Sequence, residues 1–385
     1  MNLLDHYAQQ LEDLKLSGNF RQFKSIHQHH HSVEFEQQKM FNLSSNDYLG
    51  LATNIELREE FFDLDSSRNR RMSASSSRLL TGNFPEYEKL EQQMSQLFNG
   101  KAVLLFNSGY HMNIGILPAV TDDKTLILSD KLVHASIIDG IRLGKAKFLR
   151  YRHNDLSHLK QLIEQYQNDG FYQRIIVVTE SIFSMDGDET DLTALVELKK
   201  QYKNVMLYVD EAHAIGVRGE RGLGCAEQYG VIDDIDFLVG TFGKALASVG
   251  GYLVCHPILR DYLINKMRPL IFSTAQPPIN MAWTGFILSK TIHMQTQRKQ
   301  LHHLSHQLQQ AIIERGFESP STTQIIPVIL GDSQHALNRA EDLQKSGFYI
   351  LPVRPPTVPQ GSSRLRICMN TLLNQNELDR LIALL

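Results

Sequence analysis

Val205-Met-Leu-Tyr-Val-Asp-Glu-Ala-His213 begins apolar on both faces of an extended chain and turns abruptly polar at Asp210. A short run of this kind, rich in β-branched and aromatic residues, predicts a buried strand from Val205 to Val209 with a turn directly after it. The same pattern recurs at Ala102-Val-Leu-Leu-Phe106, Thr125-Leu-Ile-Leu128, Ile175-Ile-Val-Val178, Phe237-Leu-Val239 and Gly251-Tyr-Leu-Val254. A helical stretch, Glu86 to Phe98, stopped by Asn99-Gly100, precedes the first of these runs, and others such as Leu192 to Tyr202 lie between several of them. Short strands alternating with helices predict an α/β fold with a mainly parallel sheet flanked by helices. In such sheets ligands collect beyond the carboxyl ends of the strands, so the residues there are the candidates for chemistry.

Outward from this region the pattern changes. Leu3, Leu4, Tyr7, Leu11 and Leu14 recur at helical spacing and predict an N-terminal amphipathic helix whose apolar stripe packs on something. After Pro278 a long helical region, Met281 to Arg315, is followed by Gln324 to Leu330, a helix near Ala336 to Lys345, Tyr349-Ile-Leu351, the loop Arg354-Pro-Pro-Thr-Val-Pro359, Arg364 to Cys368 and a last helix. The expected division is an N-terminal helix and arm over 1–45, a large α/β domain over 46–280 and a smaller C-terminal α+β domain over 281–385.

Composition narrows the function classes. The 385 residues carry 39 basic and 42 acidic side chains, mixed along the chain, for a net charge of −3. No long basic footprint for nucleic acid is present, and no nucleic-acid partner is expected. Cys225, Cys255 and Cys368 are odd in number and far apart, which fits neither a disulfide framework nor zinc-ligand spacing. Acidic residues interrupt the first leucines, and runs such as Arg174 to Thr179 fall far short of the roughly 20 residues a membrane helix needs. A cytoplasmic protein without a membrane span is expected. The cluster His27-Gln-His-His-His31 has no cysteine nearby and reads as a solvated loop, so no metal is expected. Arg68-Asn-Arg-Arg71 also reads as a solvated face, one able to attract an anionic carrier.

The strand ends carry the chemistry. Asp210, with His213 three positions on, could bind a metal, orient a base or pair with a protonated heterocycle. The next strand, Phe237 to Val239, leads to Thr241-Phe-Gly-Lys244, and small residues follow at Ala245, Ala247, Ser248, Gly250 and Gly251. Small residues admit a cofactor close to the backbone and suit an imine-forming lysine. A lysine and a carboxylate on neighbouring strand ends are two of the three parts that pyridoxal phosphate (PLP) chemistry requires. The third, phosphate donors, is available at Gly109 and Tyr110 on a helix N-terminus, with hydroxyls from Thr241, Ser273 and Thr274. His134, Glu180 and Ser184 fall on the same edge.

Together the motifs Ser45-Asn-Asp-Tyr-Leu-Gly50, Phe106-Asn-Ser-Gly-Tyr110, His134-Ala-Ser136, Phe183-Ser-Met-Asp-Gly187, Asp210-Glu-Ala-His213, Thr241-Phe-Gly-Lys244 and Phe272-Ser-Thr274 resemble the α-oxoamine synthases. These are PLP enzymes of the aspartate-aminotransferase fold, fold type I, that join an amino acid to an acyl thioester with loss of carbon dioxide. The resemblance implies that Lys244 forms the imine, Asp210 pairs with the pyridine nitrogen, His213 bonds the ring hydroxyl and His134 stacks on the ring. Gly109, Tyr110, Ser184 and Thr241 match cofactor contacts, and Thr274 matches a phosphate contact donated by the other subunit of a homodimer. Arg366 resembles the arginine that binds the amino-acid carboxylate, while Arg21, His134 and Thr357 match substrate contacts. The loop Arg354 to Pro359 with Arg364-Leu-Arg366 resembles members that take L-alanine and a pimeloyl thioester on coenzyme A or acyl carrier protein. Others use glycine with short acyl-CoA, serine with a long acyl chain, or make autoinducers. Ser73-Ala-Ser-Ser-Ser-Arg78 departs from the glycine-rich run of the alanine-using members.

Overall fold

Seven strands hold the polar strand ends, in the spatial order Ala102–Phe106, Gly251–Cys255, Phe237–Thr241, Val205–Asp210, Arg174–Glu180, Thr125–Asp130 and Lys147–Tyr151. Gly251–Cys255 is antiparallel to both its neighbours, and the remaining pairs are parallel, so six strands run one way. The mainly parallel sheet expected from the alternation is therefore present. Leu126, Ile127, Leu128, Ile175, Ile176, Val177, Leu207 and Val209 are each no more than 1% exposed, so both sheet faces are covered. Burying such a side chain stabilises the fold by about 1.5–3 kcal/mol. Lys147–Tyr151, which the sequence reading did not include, is an edge strand with Lys147 and Arg150 exposed. Its charges protect the open edge and erase the apolar signal.

Two helices matter most for the site. Gly109–Val120 starts where the Ala102–Phe106 strand ends, with Ser108 accepting from the N–H of His111 as its cap. Ala135–Leu143 follows the Thr125–Asp130 strand and is capped by the His134 side chain. They approach so closely that a Cβ on Gly140 would lie 2.2 Å from the Asn113 carbonyl oxygen.

The computed structural model describes residues 3–64, 70–167 and 170–385, so Arg68 and Asn69 of the basic run lie outside the described residues. The chain forms two compact units. One comprises Asn54–Ser184 and Glu189–Lys299 and contains the seven-stranded sheet; the other comprises Met1–Thr53, Met185–Asp188 and Gln300–Leu385. Where the sequence suggests boundaries after 45 and 280, the units divide after 53 and 299, and Met185–Asp188 joins the terminal segments.

The terminal unit has two small sheets. Ser32–Phe35 pairs antiparallel with Gln38–Asn42, which pairs in parallel with Phe348–Tyr349. Ser363–Cys368 lies between Ile325–Gly331 and Pro352–Val353. The N-terminal helix forms over Asp5–Leu16, but none of its residues is buried and Leu3, Leu4, Tyr7, Leu11 and Leu14 are exposed. Among the described residues the expected stripe is therefore not buried. The long helical region divides into Pro278–Thr291 and Gln295–Glu314. At the break the N–H groups of His293 and Met294 bond three residues back, to Lys290 and Thr291, a tightening that ends an α-helix. No helix among the described residues is long and apolar enough to cross a membrane.

Candidate active site

Asp210 closes its strand and is 5% exposed. Its Oδ1 accepts the N–H of Ala212 at 2.9 Å and its Oδ2 accepts Asn113 Nδ2 at 3.1 Å. On the neighbouring strand end the chain turns through Thr241, whose hydroxyl donates to the Gly250 carbonyl at 2.7 Å and accepts from the N–H of Gly243 at 3.2 Å. That closure presents Lys244, half-buried, with Nζ 2.8 Å from His213 Nε2. The small residues after Lys244 have separate duties. Gly250 sits at φ 122°, where a side chain is strained, and a Cβ on Gly251 would lie 3.0 Å from the Ser108 carbonyl. The antiparallel strand can therefore press against the start of the Gly109 helix.

Glu180 and Asp210 are directly paired across two parallel strands. Burial, then the charge of Asp210, push the Glu180 carboxyl well above the usual carboxylate range. Its Oε1 accepts the backbone N–H of His134 at 2.5 Å, so this side chain fixes the turn that carries His134. Burial lowers the His134 imidazole below its ordinary value; Lys244 acts in the same sense and Asp210 opposes it.

These residues line one cavity of about 180 Å³, which holds Gly109, Tyr110, His134, Glu180, Asp210, His213, Thr241 and Lys244. Eight positions read from the sequence are thus together. At one side lie the first-turn N–H groups of Gly109 and Tyr110, which a helix leaves without acceptors of its own and which favour an anion. Elsewhere the cavity presents a buried carboxylate and a lysine amine. A phosphate, a ring nitrogen that is protonated and an aldehyde carbon match these groups one for one, so the donor set fits PLP. The Thr241 hydroxyl, expected as a phosphate donor, spends its hydrogen on Gly250 while the loop is closed.

The other sequence-read positions lie elsewhere. Ser184 is half-buried after the Arg174–Glu180 strand and does not line this cavity. Ser273 lines a much smaller recess with Arg78 and His111, and the carbonyl of exposed Thr274 accepts Asn107 Nδ2 at 2.8 Å. In the terminal unit Arg21 Nη2 donates to Thr357 Oγ1 at 2.8 Å, and both line a cavity of about 160 Å³ with Arg354. Burial and the nearby Arg21 charge hold the Arg354 guanidinium below its ordinary value. Arg366, on the Ser363–Cys368 strand, donates through both terminal nitrogens to Asn46 Oδ1 at 3.2 Å. Its neighbour Arg364 forms an ion pair with Asp186. Among the described residues no group of three or more His, Cys, Asp or Glu is arranged to hold a metal ion.

Asn113 and Ser136 also line the cavity, and the sequence reading did not assign either a role. Only their placement four residues into the Gly109 helix and two after His134 could have drawn attention to them.

Residues 38–385 match the model of the aminotransferase class I and II family. A protein of Pasteurella multocida named "Putative 8-amino-7-oxononanoate synthase" is 54% identical over 384 residues, covering 100% of this chain and 99% of that one. A lysine-to-alanine variant of a serine palmitoyltransferase from S. paucimobilis, solved with a bound PLP–myriocin aldimine, superposes with a TM-score of 0.88 at 26% identity, covering 100% of this chain and 97% of that one. The 8-amino-7-oxononanoate synthase of Francisella tularensis shares the fold, with a TM-score of 0.75 at 24% identity over 90% of this chain and 96% of that one. A mainly parallel seven-stranded sheet with lysine, carboxylate and helix N-terminus at its carboxyl edge is the fold type I arrangement that binds PLP, and the chain belongs to the aminotransferase class I and II family as a PLP-dependent α-oxoamine synthase.

Proposed function

We propose that the chain joins L-alanine to a pimeloyl thioester, carried on coenzyme A or acyl carrier protein, giving 8-amino-7-oxononanoate, carbon dioxide and the free thiol in biotin biosynthesis. The chemistry rests on one observation, Lys244 Nζ held 2.8 Å from His213 Nε2 in the cavity that also contains Asp210. The substrate pair is supported by the end-to-end likeness to the P. multocida protein of that name.

Bound PLP supplies an electrophilic carbon and an electron-withdrawing ring that eases loss of the amino-acid Cα proton. The chain's own groups do the rest. Gly109 and Tyr110 N–H groups would hold the phosphate, and the Asp210 carboxylate would keep a proton on the ring nitrogen. Lys244 Nζ is the group that takes the alanine Cα proton, with His213 Nε2 beside it to set which atom holds the hydrogen. A Cα–C bond to the acyl carbon forms as the C–S bond breaks, and the Cα–carboxylate bond then breaks to release carbon dioxide. One proton returns to Cα. Arg366 is proposed to bind the alanine carboxylate bidentately, which its planar fork suits. Arg21 and Thr357 are proposed for the acyl chain, and the working form is proposed to be a cytoplasmic homodimer in which Thr274 serves the partner subunit's phosphate site.

The test measures thiol release by the purified protein with alanine, glycine and serine against pimeloyl, acetyl, succinyl and long-chain thioesters. Alanine with pimeloyl thioester should exceed every other pair, and Lys244→Ala should lower its rate by more than about 10³-fold. Preference for another pair would replace the substrate assignment, and normal turnover by Lys244→Ala would remove the lysine from the chemistry.

A further inference from the structure

A chain of hydrogen bonds, buried as far as Ser136, runs from Asp210 to the ring of His134, itself an exposed residue. Asn113 Nδ2 donates to Asp210 Oδ2 at 3.1 Å and lies 3.0 Å from Ser136 Oγ, while Tyr208 donates its hydroxyl hydrogen to Asn113 Oδ1 at 2.5 Å. Ser136 Oγ is 2.7 Å from His134 Nδ1, and the Ser136 N–H donates to that same nitrogen at 3.2 Å. Asn113, Ser136 and Tyr208 are each at most 3% exposed, so water does not relax the choices at these three residues.

The donors and acceptors can be assigned in only one consistent order. A carboxylate only accepts, so the Asn113 amide must turn its NH₂ toward Asp210 and its oxygen toward Tyr208. The other hydrogen of that NH₂ then points to Ser136 Oγ, which becomes an acceptor there. The Ser136 hydroxyl hydrogen is left for His134 Nδ1, which already receives the Ser136 N–H as the cap of helix Ala135–Leu143. A nitrogen that accepts two hydrogen bonds carries no proton, and the ring's hydrogen belongs on Nε2.

We infer that Asn113 and Ser136 are positioning residues that transmit the polarity of the Asp210 carboxylate to His134, holding its ring neutral with the proton on Nε2. The device adds no positive charge beside Lys244 and leaves Nε2–H as the ring's donor. Partial burial acts in the same direction, as does the Lys244 charge, against the nearby carboxylates Asp210 and Asp139, while the Glu180 carboxyl group accepts the His134 backbone N–H. The inference concerns the α-oxoamine synthase site whichever acyl substrate it serves.

The experiment is nitrogen NMR of the holoenzyme labelled in its histidine rings, with the His134 signals assigned by their loss in His134→Gln. Wild type should show Nε2 protonated and Nδ1 bare at neutral pH. Asn113→Ala and Ser136→Ala should each mix the two tautomers and tighten proton binding to the ring at least about threefold, half a pH unit in its midpoint. Ser136→Thr, which keeps the hydroxyl, should restore the single tautomer. A wild-type ring with its proton on Nδ1 would overturn the inference, as would folded alanine variants whose ring matches wild type. If either alanine variant fails to fold, the wild-type tautomer and the remaining variant decide. The readout does not involve turnover, so a wrong acyl substrate would leave this result standing.

Discussion

Gly187 shows how much a single residue can decide. It sits at φ 69°, and a Cβ there would lie 1.9 Å from the Ile325 carbonyl oxygen and 2.7 Å from Ser321 Oγ. The Ser321 and Thr323 side chains also bond the Gly187 carbonyl, so the segment cannot retreat cheaply. Gly187→Ala should destabilise the protein by at least about 2 kcal/mol, from strain and overlap together, and lower the melting temperature by several degrees in a thermal scan. Phe183 to Gly187 was recognisable in the sequence as a motif, yet the reason for its glycine is a backbone contact more than a hundred residues away. Legibility at this scale follows the same division. Asp210, His213 and Lys244 stand next to apolar runs whose ends are predictable, so their convergence could be read. Asn113 and Ser136 could not, because a buried polar residue inside a helix has the same local signature as an exposed one until its partners are known.

Among elements, the contact of Gly109–Val120 with Ala135–Leu143 connects packing to the site, since one helix carries Asn113 and the other Ser136. A methyl on Gly140 would meet the Asn113 carbonyl at 2.2 Å, well inside van der Waals contact, and backbone rather than a flexible side chain would have to yield. Gly140→Ala is expected to push the helices apart, to cost about 1–3 kcal/mol by denaturant unfolding, and to lengthen the Asn113–Ser136 bond. A variant as stable as wild type would show that the helices can separate freely. Strands buried on both faces, from Ala102–Phe106 to Gly251–Cys255, were legible because apolar continuity is their requirement. Edge and hairpin strands, Lys147–Tyr151 and Ser32–Phe35, were not, since half of each faces water or charge. The helical region after Pro278 reads as continuous because nothing in Ile292-His-Met294 is a strong breaker; the break depends on tertiary bonds such as Arg298 Nη1 to the Thr291 carbonyl at 2.7 Å.

For the molecule as a whole, a near-zero formal charge hides buried carboxyls whose titration is tied to folding. Glu211 is 0% exposed and receives Ser181 Oγ at 2.7 Å, the Cys225 N–H at 3.0 Å and the Ala226 N–H at 2.7 Å. Those donors favour the carboxylate and burial disfavours it. Burial prevails, and the carboxyl is pushed up from 4.5 to about 7. The folded state therefore holds this proton more tightly than the unfolded chain does. Its contribution is fully present below about pH 4.5 and is lost as pH rises through about 7, an effect on the order of 3 kcal/mol. Glu180 acts with the same sign. Glu211→Gln removes the titration and changes the local hydrogen bonds by an amount independent of pH. Melting temperatures of wild type and variant from pH 5 to 9 should thus show wild type losing ground steadily up to about pH 8 and none beyond. A constant difference would mean that the three donors keep Glu211 ionised throughout, and a difference growing in favour of wild type would mean that they lower its proton affinity below that of the unfolded chain.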